Sequence, residues 1–164
     1  MGRSVGLRLI VIDNALTLEQ AESVINYYDE NSDKLIGNWY TETFDWQFDL
    51  LTLAEQYYPE VKKRVGFESW GHITTRPYWH VDQDELAEQN GIIEQPICSI
   101  VYYPIVRLLQ GGQFITETEV IEPKTNRAII FAPDIPHSVN PWQGDRMSVA
   151  INPWAFVPYT YRHK

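Results

Sequence analysis

The chain has 164 residues, of which 44% are hydrophobic and 21% are charged, and its formal net charge is -9. This composition is sufficient for one hydrophobic core and excludes a disordered chain. The acidic balance also argues against a general nucleic-acid or membrane-surface role, because phosphate groups repel such a chain.

The first 65 residues are predicted to be mainly helical. A short strand is predicted over residues 6–13, and hydrophobic residues then recur at helical spacing over residues 17–30. Thr17 and Gln20 have the spacing of a capping box at the start of this helix. A second amphipathic helix is predicted over residues 44–58. We expect residues 1–65 to form a helical support for the rest of the chain.

Residues 66–157 have the pattern of a β-rich core. Short runs of β-branched and aromatic residues alternate with clusters of Gly, Pro, Asn and Asp. These runs predict seven strands, over residues 67–76, 78–82, 96–103, 113–117, 127–131, 137–141 and 146–152. No long helical segment separates them, so the sheets should be antiparallel. The predicted fold is a single domain over residues 1–164, mainly β, in which a jelly roll carries supporting N-terminal α-helices packed on one sheet.

His80 and Asp82 are the first candidates for a metal site. On a strand, side chains two residues apart point to the same face and can reach one ion. The pattern alone is weak evidence, since a hydrogen-bonded His and Asp at a strand end look the same in sequence. His137 opens a later predicted strand and supplies a second imidazole. Two His and one carboxylate suit Fe(II) with open positions, whereas zinc more often takes a closed tetrahedral set.

Arg146 and Ser148 form a candidate anion site. They are two residues apart on the last predicted strand and therefore share one face. In a buried site the guanidinium offers a carboxylate two parallel hydrogen bonds, and the hydroxyl adds a third. The alternative for Arg146 is a surface salt bridge with a neighbour such as Asp145.

Taken in this order, these residues resemble the Fe(II)- and 2-oxoglutarate-dependent dioxygenases, and among them the prolyl 4-hydroxylase-like group. The resemblance covers nearly the whole chain. Further segments that are similar to the group's patterns are residues 11–16 at the N-terminal start, the Val-Tyr-Tyr-Pro strand at 101–104, the Gly-Gly turn at 111–114, the Pro-Lys strand at 123–131 and the His-x-Val-x-Pro run at 137–141. Arg146 departs from the lysine that is usual in the group, but both are cations that can face a carboxylate.

The resemblance implies a double-stranded β-helix and assigns roles to the candidate residues. His80, Asp82 and His137 would hold Fe(II) and would form the catalytic centre. Arg146 and Ser148 would bind the far carboxylate of 2-oxoglutarate.

A tyrosine is a further candidate for 2-oxoglutarate binding. Tyr102 is the residue that we assign to this role, and Tyr103, on the opposite face of the strand, stays the alternative because the sequence does not fix the strand's parity. The reaction implied by the resemblance uses O2, with ascorbate as a further candidate reductant. It would hydroxylate a C–H bond of a peptidyl substrate, such as a prolyl residue, or of a small molecule, and would release succinate and CO2.

Two other functions stay open. A jelly-roll module could bind a metal or a ligand without oxidation, although such a module has no need of the anion site at Arg146. A nucleobase-directed oxygenase is disfavoured by the net charge of -9. The single cysteine, Cys98, cannot form an intramolecular disulfide, and we find neither a signal peptide nor an apolar run of membrane-spanning length. We therefore expect a cytoplasmic protein whose partner is a peptidyl or small-molecule substrate rather than a nucleic acid or a membrane.

Overall fold

The computed structural model describes residues 8–72 and 78–164, with only the backbone for His72. Its elements in chain order are β1 (Leu9–Asp13), α1 (Leu18–Glu30), β2 (Asn38–Tyr40), α2 (Asp45–Glu55), β3 (Gly66–His72), α3 (Glu85–Gln89), β4 (Ser99–Gly111), β5 (Phe114–Thr116), β6 (Val120–Ile121), β7 (Arg127–Phe131), β8 (His137–Val139), β9 (Trp142–Trp154) and α4 (Tyr159–Arg162). Two short 3-10 helices lie at Ser32–Leu35 and Pro59–Lys63. None of the helices in the described ranges is long and apolar enough to cross a membrane.

The strands form two antiparallel sheets. The larger sheet has the order β1-β7-β4-β9-β3-β2, and the smaller sheet has the order β6-β5-β8. The two longest strands, β4 and β9, pair with each other at the centre of the large sheet. The predicted fold, mainly β and jelly-roll-like with antiparallel sheets, is confirmed.

The two N-terminal helices cover one face of the large sheet. The capping box predicted for α1 is present: the Gln20 amide donates to the Thr17 hydroxyl over 3.1 Å, and the Thr17 amide donates to Gln20 Oε1 over 3.0 Å. The core on this face combines helix residues with alternate strand residues, among them Val24, Tyr28, Leu50, Leu51, Ile100, Tyr102, Ala128, Ile130, Val149 and Ile151. Helices packed on one sheet agree with the prediction.

A second, smaller core lies on the other face of the large sheet. Tyr103, Ile129 and Phe131 pack there against Phe114 and Ile121 of the small sheet. Successive residues of a strand point to opposite faces, so β4 and β7 divide their side chains between the two cores. A cavity lined in part by Val101, Tyr103 and Phe131 borders this second face.

Four of the strand predictions differ clearly from the structure. Residues 78–82 form no strand and make only an isolated bridge between His80 and His137, because their partner strand β8 is three residues long. Of the strand predicted over residues 67–76, β3 ends at His72, and residues 73–76 lie outside the described ranges. The central strands are longer than the predicted 96–103 and 146–152: residues 104–111 and 142–145 extend the β4–β9 ladder, with register shifts between Tyr102 and Ile105 and between Arg107 and Gln110.

Candidate metal and anion site

His80, Asp82 and His137 meet at one point between the two sheets. One potential ligand atom from each lies within 4.8 Å of the others. Asp82 Oδ1 is 3.5 Å from His80 Nε2 and 3.5 Å from His137 Nε2. Backbone hydrogen bonds between His80 and His137, over 3.1 and 3.0 Å, tie the two ligand segments together. The arrangement offers two imidazole nitrogens and one carboxylate to a single ion.

Backbone carbonyls orient both imidazoles. His80 Nδ1 lies 3.1 Å from the Tyr78 carbonyl oxygen, and His137 Nδ1 lies 2.9 Å from that of Ile135. A carbonyl only accepts, so each Nδ1 carries the proton and each Nε2 is left with its lone pair. The nitrogens available to a metal ion are therefore the pair that faces Asp82.

Asp82 is held by three contacts that leave one oxygen free. The Ser99 hydroxyl donates to Asp82 Oδ2, and the Asp82 amide donates to the Pro133 carbonyl over 2.9 Å. Gln95 Nε2 donates to the Asp82 carbonyl over 3.3 Å. Because Ser99 engages Oδ2, Oδ1 stays directed at the two histidines. Ser99 was not predicted, and no spacing rule in the sequence connects it with Asp82.

His137 is packed between aromatic rings. Its ring stacks on Phe114 at a centroid distance of 5.2 Å and meets Phe131 edge-on at 4.8 Å. Burial lowers the pKa of His137, although the Asp82 carboxylate and the Ile135 carbonyl oppose this effect. Burial thus favours the neutral imidazole, which is the form that binds a metal ion.

A cavity of about 770 Å³ opens beside the three potential ligands. Its floor consists of alternate residues of β9, namely Arg146, Ser148, Ala150, Asn152 and Trp154. The cavity contains both groups that the sequence predicted, the metal ligands and the cation of the anion site. We refer to it below as the central cavity.

Arg146 is a buried cation with unused donors. Its side chain is 6% exposed, and its Nε and Nη1 atoms are buried without a hydrogen-bond partner in the described parts of the chain. The guanidinium lies over the ring of Trp142 at 4.3 Å and over that of Tyr103 at 5.2 Å. Ser148, 3% exposed, lines the same cavity. Among the described residues, Arg146 does not form the surface salt bridge that the sequence left open as an alternative. The unpaired donors of Arg146 fit a carboxylate ligand.

The Gly111-Gly112 turn makes room for this guanidinium. Both residues have positive φ, 81° and 77°, a backbone conformation that glycine adopts readily. A Cβ at Gly112 would lie 3.3 Å from Arg146 Cδ, and one at Gly111 would lie 2.1 Å from the Pro141 carbonyl oxygen. The turn therefore requires glycine at both positions, and Gly112 is part of the wall behind Arg146.

The structure corrects the assignment of Tyr102. Its side chain lies on the helix-facing side of β4, where its hydroxyl donates to Asn126 Oδ1 over 2.8 Å. Tyr102 therefore does not line the central cavity. The alternative, Tyr103, does line it, and its fully buried hydroxyl has no hydrogen-bond partner in residues 8–72 and 78–164. Burial raises the pKa of Tyr103, so the group is a neutral donor beside Arg146.

Comparison with solved structures identifies the fold. A viral collagen prolyl hydroxylase from Paramecium bursaria Chlorella virus-1 superposes with a TM-score of 0.65 at 14% identity, over 93% of this chain and 92% of that chain. A structure of the same viral enzyme described as a 2OG complex gives 0.65 at 15% identity, over 90% and 96%. A Pseudomonas putida prolyl-4-hydroxylase gives 0.67 at 13% identity, over 92% and 94%. No family model and no curated protein matches the sequence. The chain thus has the double-stranded β-helix fold of the prolyl 4-hydroxylase-like oxygenases, in agreement with the resemblance seen in its sequence.

Proposed function

We propose that the chain is an Fe(II)- and 2-oxoglutarate-dependent oxygenase that hydroxylates a C–H bond of a peptidyl or small-molecule substrate. The observation that carries the proposal is the buried Arg146 guanidinium, which has two orphaned donors and lines the same cavity as His80, Asp82 and His137. A metal site alone would not need a buried cation beside it. A dicarboxylate that binds both the metal and Arg146 accounts for the two features together.

The chain's residues fit the two groups that this function requires. His80 and His137 would give their Nε2 atoms to the metal, and Asp82 would give Oδ1, because the other polar atoms of these side chains are already hydrogen-bonded. Fe(II) and 2-oxoglutarate, when bound, supply the oxidation of the substrate by O2, with succinate and CO2 as the other products. Ascorbate is the expected reductant that keeps the iron in the ferrous state.

Three features of the chain would act on 2-oxoglutarate. Arg146 would bind its far carboxylate through two parallel hydrogen bonds, and Ser148 and Tyr103 would each donate one more. The aromatic rings of Phe114 and Phe131 beside His137 restrict water on that side of the metal site. These residues bind and orient the co-substrate, and the metal ligands define where it reacts.

An anaerobic titration tests the proposal. Metal-free protein receives Fe(II) and then 2-oxoglutarate, and the weak visible metal-to-ligand band is recorded. We expect a band only when both are present, no band in His137→Ala, and a large rise in the 2-oxoglutarate requirement of Arg146→Ala. Arg107→Ala, which removes an exposed arginine outside the central cavity, is the matched control and should behave as wild type.

The same titration can contradict the proposal. If wild-type protein binds iron but gives no band at any 2-oxoglutarate concentration, the oxygenase function is wrong. The protein would then be a metal-bearing binding module, which is the alternative function from a different class.

A further inference from the structure

The central cavity has a second polar end that the proposed function does not use. Arg146 and Asn152 both line the cavity and are six residues apart on β9. At the rise of a strand this separation corresponds to roughly 20 Å. A short dicarboxylate bound to Arg146 and to the metal does not reach that far, so the Asn152 end is available to another group.

Asn152 is a buried polar side chain that lines this end of the cavity. It is 4% exposed, it lines the cavity, and its amide makes no hydrogen bond to any residue of the described ranges. The amide lies against open space in the cavity, where its donor and its acceptor are both available to a ligand. Asn152 is therefore placed to contact a molecule bound at this end of the cavity.

Glu68 lies directly opposite Asn152 in the ladder between β3 and β9. Side chains in this relation have Cβ atoms roughly 4.5–5.5 Å apart, so one ligand group can contact both. The Glu68 carboxylate accepts hydrogen bonds from Trp154 Nε1 over 2.9 Å and from the Tyr161 hydroxyl over 3.1 Å. A carboxylate has about four lone-pair sites, and these two bonds leave the others available.

The charge at this end is negative and uncompensated. Glu68 forms no ion pair with any described residue, whereas its two fixed donors are both neutral. Burial raises the pKa of Glu68, the hydrogen bonds from Tyr161 and Trp154 oppose this, and the charges of Asp84 and Asp82 raise the pKa further, so a cation beside the carboxyl group would favour its ionised form. Arg146 is the only lysine or arginine among the described residues that line the cavity, and it lies at the opposite end. A positive charge placed beside Glu68 would therefore be stabilised.

Two tryptophans complete the surroundings. Trp70 and Trp154 also line the cavity, on the same two strands as Glu68 and Asn152. A cation above an indole face gains electrostatic energy, most of all with a guanidinium, which also stacks. A carboxylate, an amide oxygen and two indoles form a set of groups that suits an organic cation.

We propose that Glu68 and Asn152 bind a cationic group of the substrate, a guanidinium or an ammonium, at the end of the central cavity opposite Arg146. That the bound molecule is the substrate rests on the proposed function. The cation preference itself does not depend on that function, because it follows from the residues at this end of the cavity. The inference narrows the substrate class to basic compounds, such as peptides or amines with a positively charged side chain.

Calorimetric titration tests the preference without turnover. The protein is loaded with Mn(II) and saturated with 2-oxoglutarate under anaerobic conditions, and it is titrated with n-butylguanidinium, n-butylammonium and the neutral isostere n-butylurea. We expect the better of the two cations to bind at least about tenfold more tightly than the urea, as one charge-assisted hydrogen bond predicts. The two cationic probes show which of the two groups the subsite prefers.

Variants locate the preference. Glu68→Gln should reduce the ratio between cation and urea to about twofold or less, since the charge is removed and the side-chain shape is kept. Asn152→Ala leaves the bonds of Glu68 to Trp154 and Tyr161 in place, and it should weaken cation binding by about tenfold. Glu119→Gln, which changes the same charge at an exposed residue outside the cavity, should keep the wild-type ratio.

The outcomes separate this inference from the proposed function. If 2-oxoglutarate binds normally but the urea binds as tightly as the cations, or if Glu68→Gln and Asn152→Ala both keep the wild-type preference, the cation subsite is refuted alone. If 2-oxoglutarate does not bind at all, the proposed function fails. The same three probes titrated into the Mn(II) protein then decide the cation preference, which is refuted if the urea still equals the cations.

Discussion

Two adjacent tyrosines should respond in opposite ways to the loss of their hydroxyl groups. Tyr102 and Tyr103 are both fully buried, but they point to opposite faces of β4. The Tyr102 hydroxyl has a partner in Asn126, whereas the Tyr103 hydroxyl has none in the part of the chain that the structure describes. We predict that Tyr102→Phe lowers the free energy of unfolding and leaves 2-oxoglutarate binding unchanged. Tyr103→Phe should weaken 2-oxoglutarate binding without lowering the free energy of unfolding.

The magnitudes follow from the hydrogen bonds. Tyr102→Phe removes one neutral hydrogen bond, and Asn126 Oδ1 keeps a second donor, the Leu16 amide at 3.0 Å, so no buried acceptor is orphaned. The expected loss is about 1 kcal/mol in the free energy of unfolding. Tyr103→Phe removes a buried hydroxyl that has no partner, so stability should be unchanged or should rise by up to about 1 kcal/mol. Its bond to a carboxylate of 2-oxoglutarate would be lost, which predicts an approximately tenfold rise in the Kd for 2-oxoglutarate.

Two measurements on each variant test this reasoning. Urea unfolding of the metal-free proteins gives the free energies, and the anaerobic titration with Fe(II) gives the Kd for 2-oxoglutarate. The reasoning is refuted if Tyr102→Phe weakens 2-oxoglutarate binding as much as Tyr103→Phe does. It is also refuted if Tyr103→Phe costs more than about 1 kcal/mol of stability, because the hydroxyl would then have a structural partner.

Two further predictions concern the metal site and the edge of the large sheet. Ser99→Ala removes the hydrogen bond to Asp82 Oδ2 and should weaken Mn(II) binding by roughly tenfold, as loss of a hydrogen bond to a metal ligand does. The control is Ser69→Ala, on the helix-facing side of the sheet, which should leave the Mn(II) affinity unchanged. Equal Mn(II) affinities of the two variants would contradict the role of Ser99. The hydrogen bond from Arg127, over 2.7 Å, is the largest cause that lowers the pKa of Asp13 in the folded protein. The pair therefore contributes its full stability above the ordinary aspartate pKa of about 4. This stability is lost as the pH falls toward the lower pKa of the folded protein. Urea unfolding should therefore show Asp13→Asn less stable than wild type at neutral pH, with a difference that vanishes in acid; a difference independent of pH would show that the charge is not its cause.

The sequence was sufficient to predict the three residues that now lie together as potential metal ligands. Spacing placed His80 and Asp82 on one face of an extended segment, the start of a later predicted strand added His137, and family resemblance then gave the three residues a common role. The segment from 78 to 82 was nevertheless wrongly predicted as a strand, since it is held by the isolated bridge between His80 and His137 and by the bond from the Asp82 amide to the Pro133 carbonyl rather than by a ladder. These bonds keep His80 and Asp82 beside His137, so the error in secondary structure did not displace the three side chains.

The tyrosine could not be assigned from sequence for a specific reason. Both faces of β4 are buried, one against the helices and one against the small sheet, so neighbouring residues such as Val101 and Tyr102 are both apolar or aromatic. Parity can be read from a sequence only where one face is polar. Asn152 and Glu68 were missed because their relation is a pairing between two strands more than 80 residues apart along the chain, 68 and 152, and no local pattern encodes it.

The alternation along β9 has a consequence for how this protein can change over evolutionary time. Residues Met147, Val149 and Ile151 face the helices, and the residues between them face the cavity. One strand thus encodes stability and ligand preference at interleaved positions that do not contact the same neighbours. Substitutions at cavity positions such as Asn152 can therefore change which ligand binds while the folded scaffold is kept, whereas a one-residue insertion within the strand would exchange the two sets and destroy both.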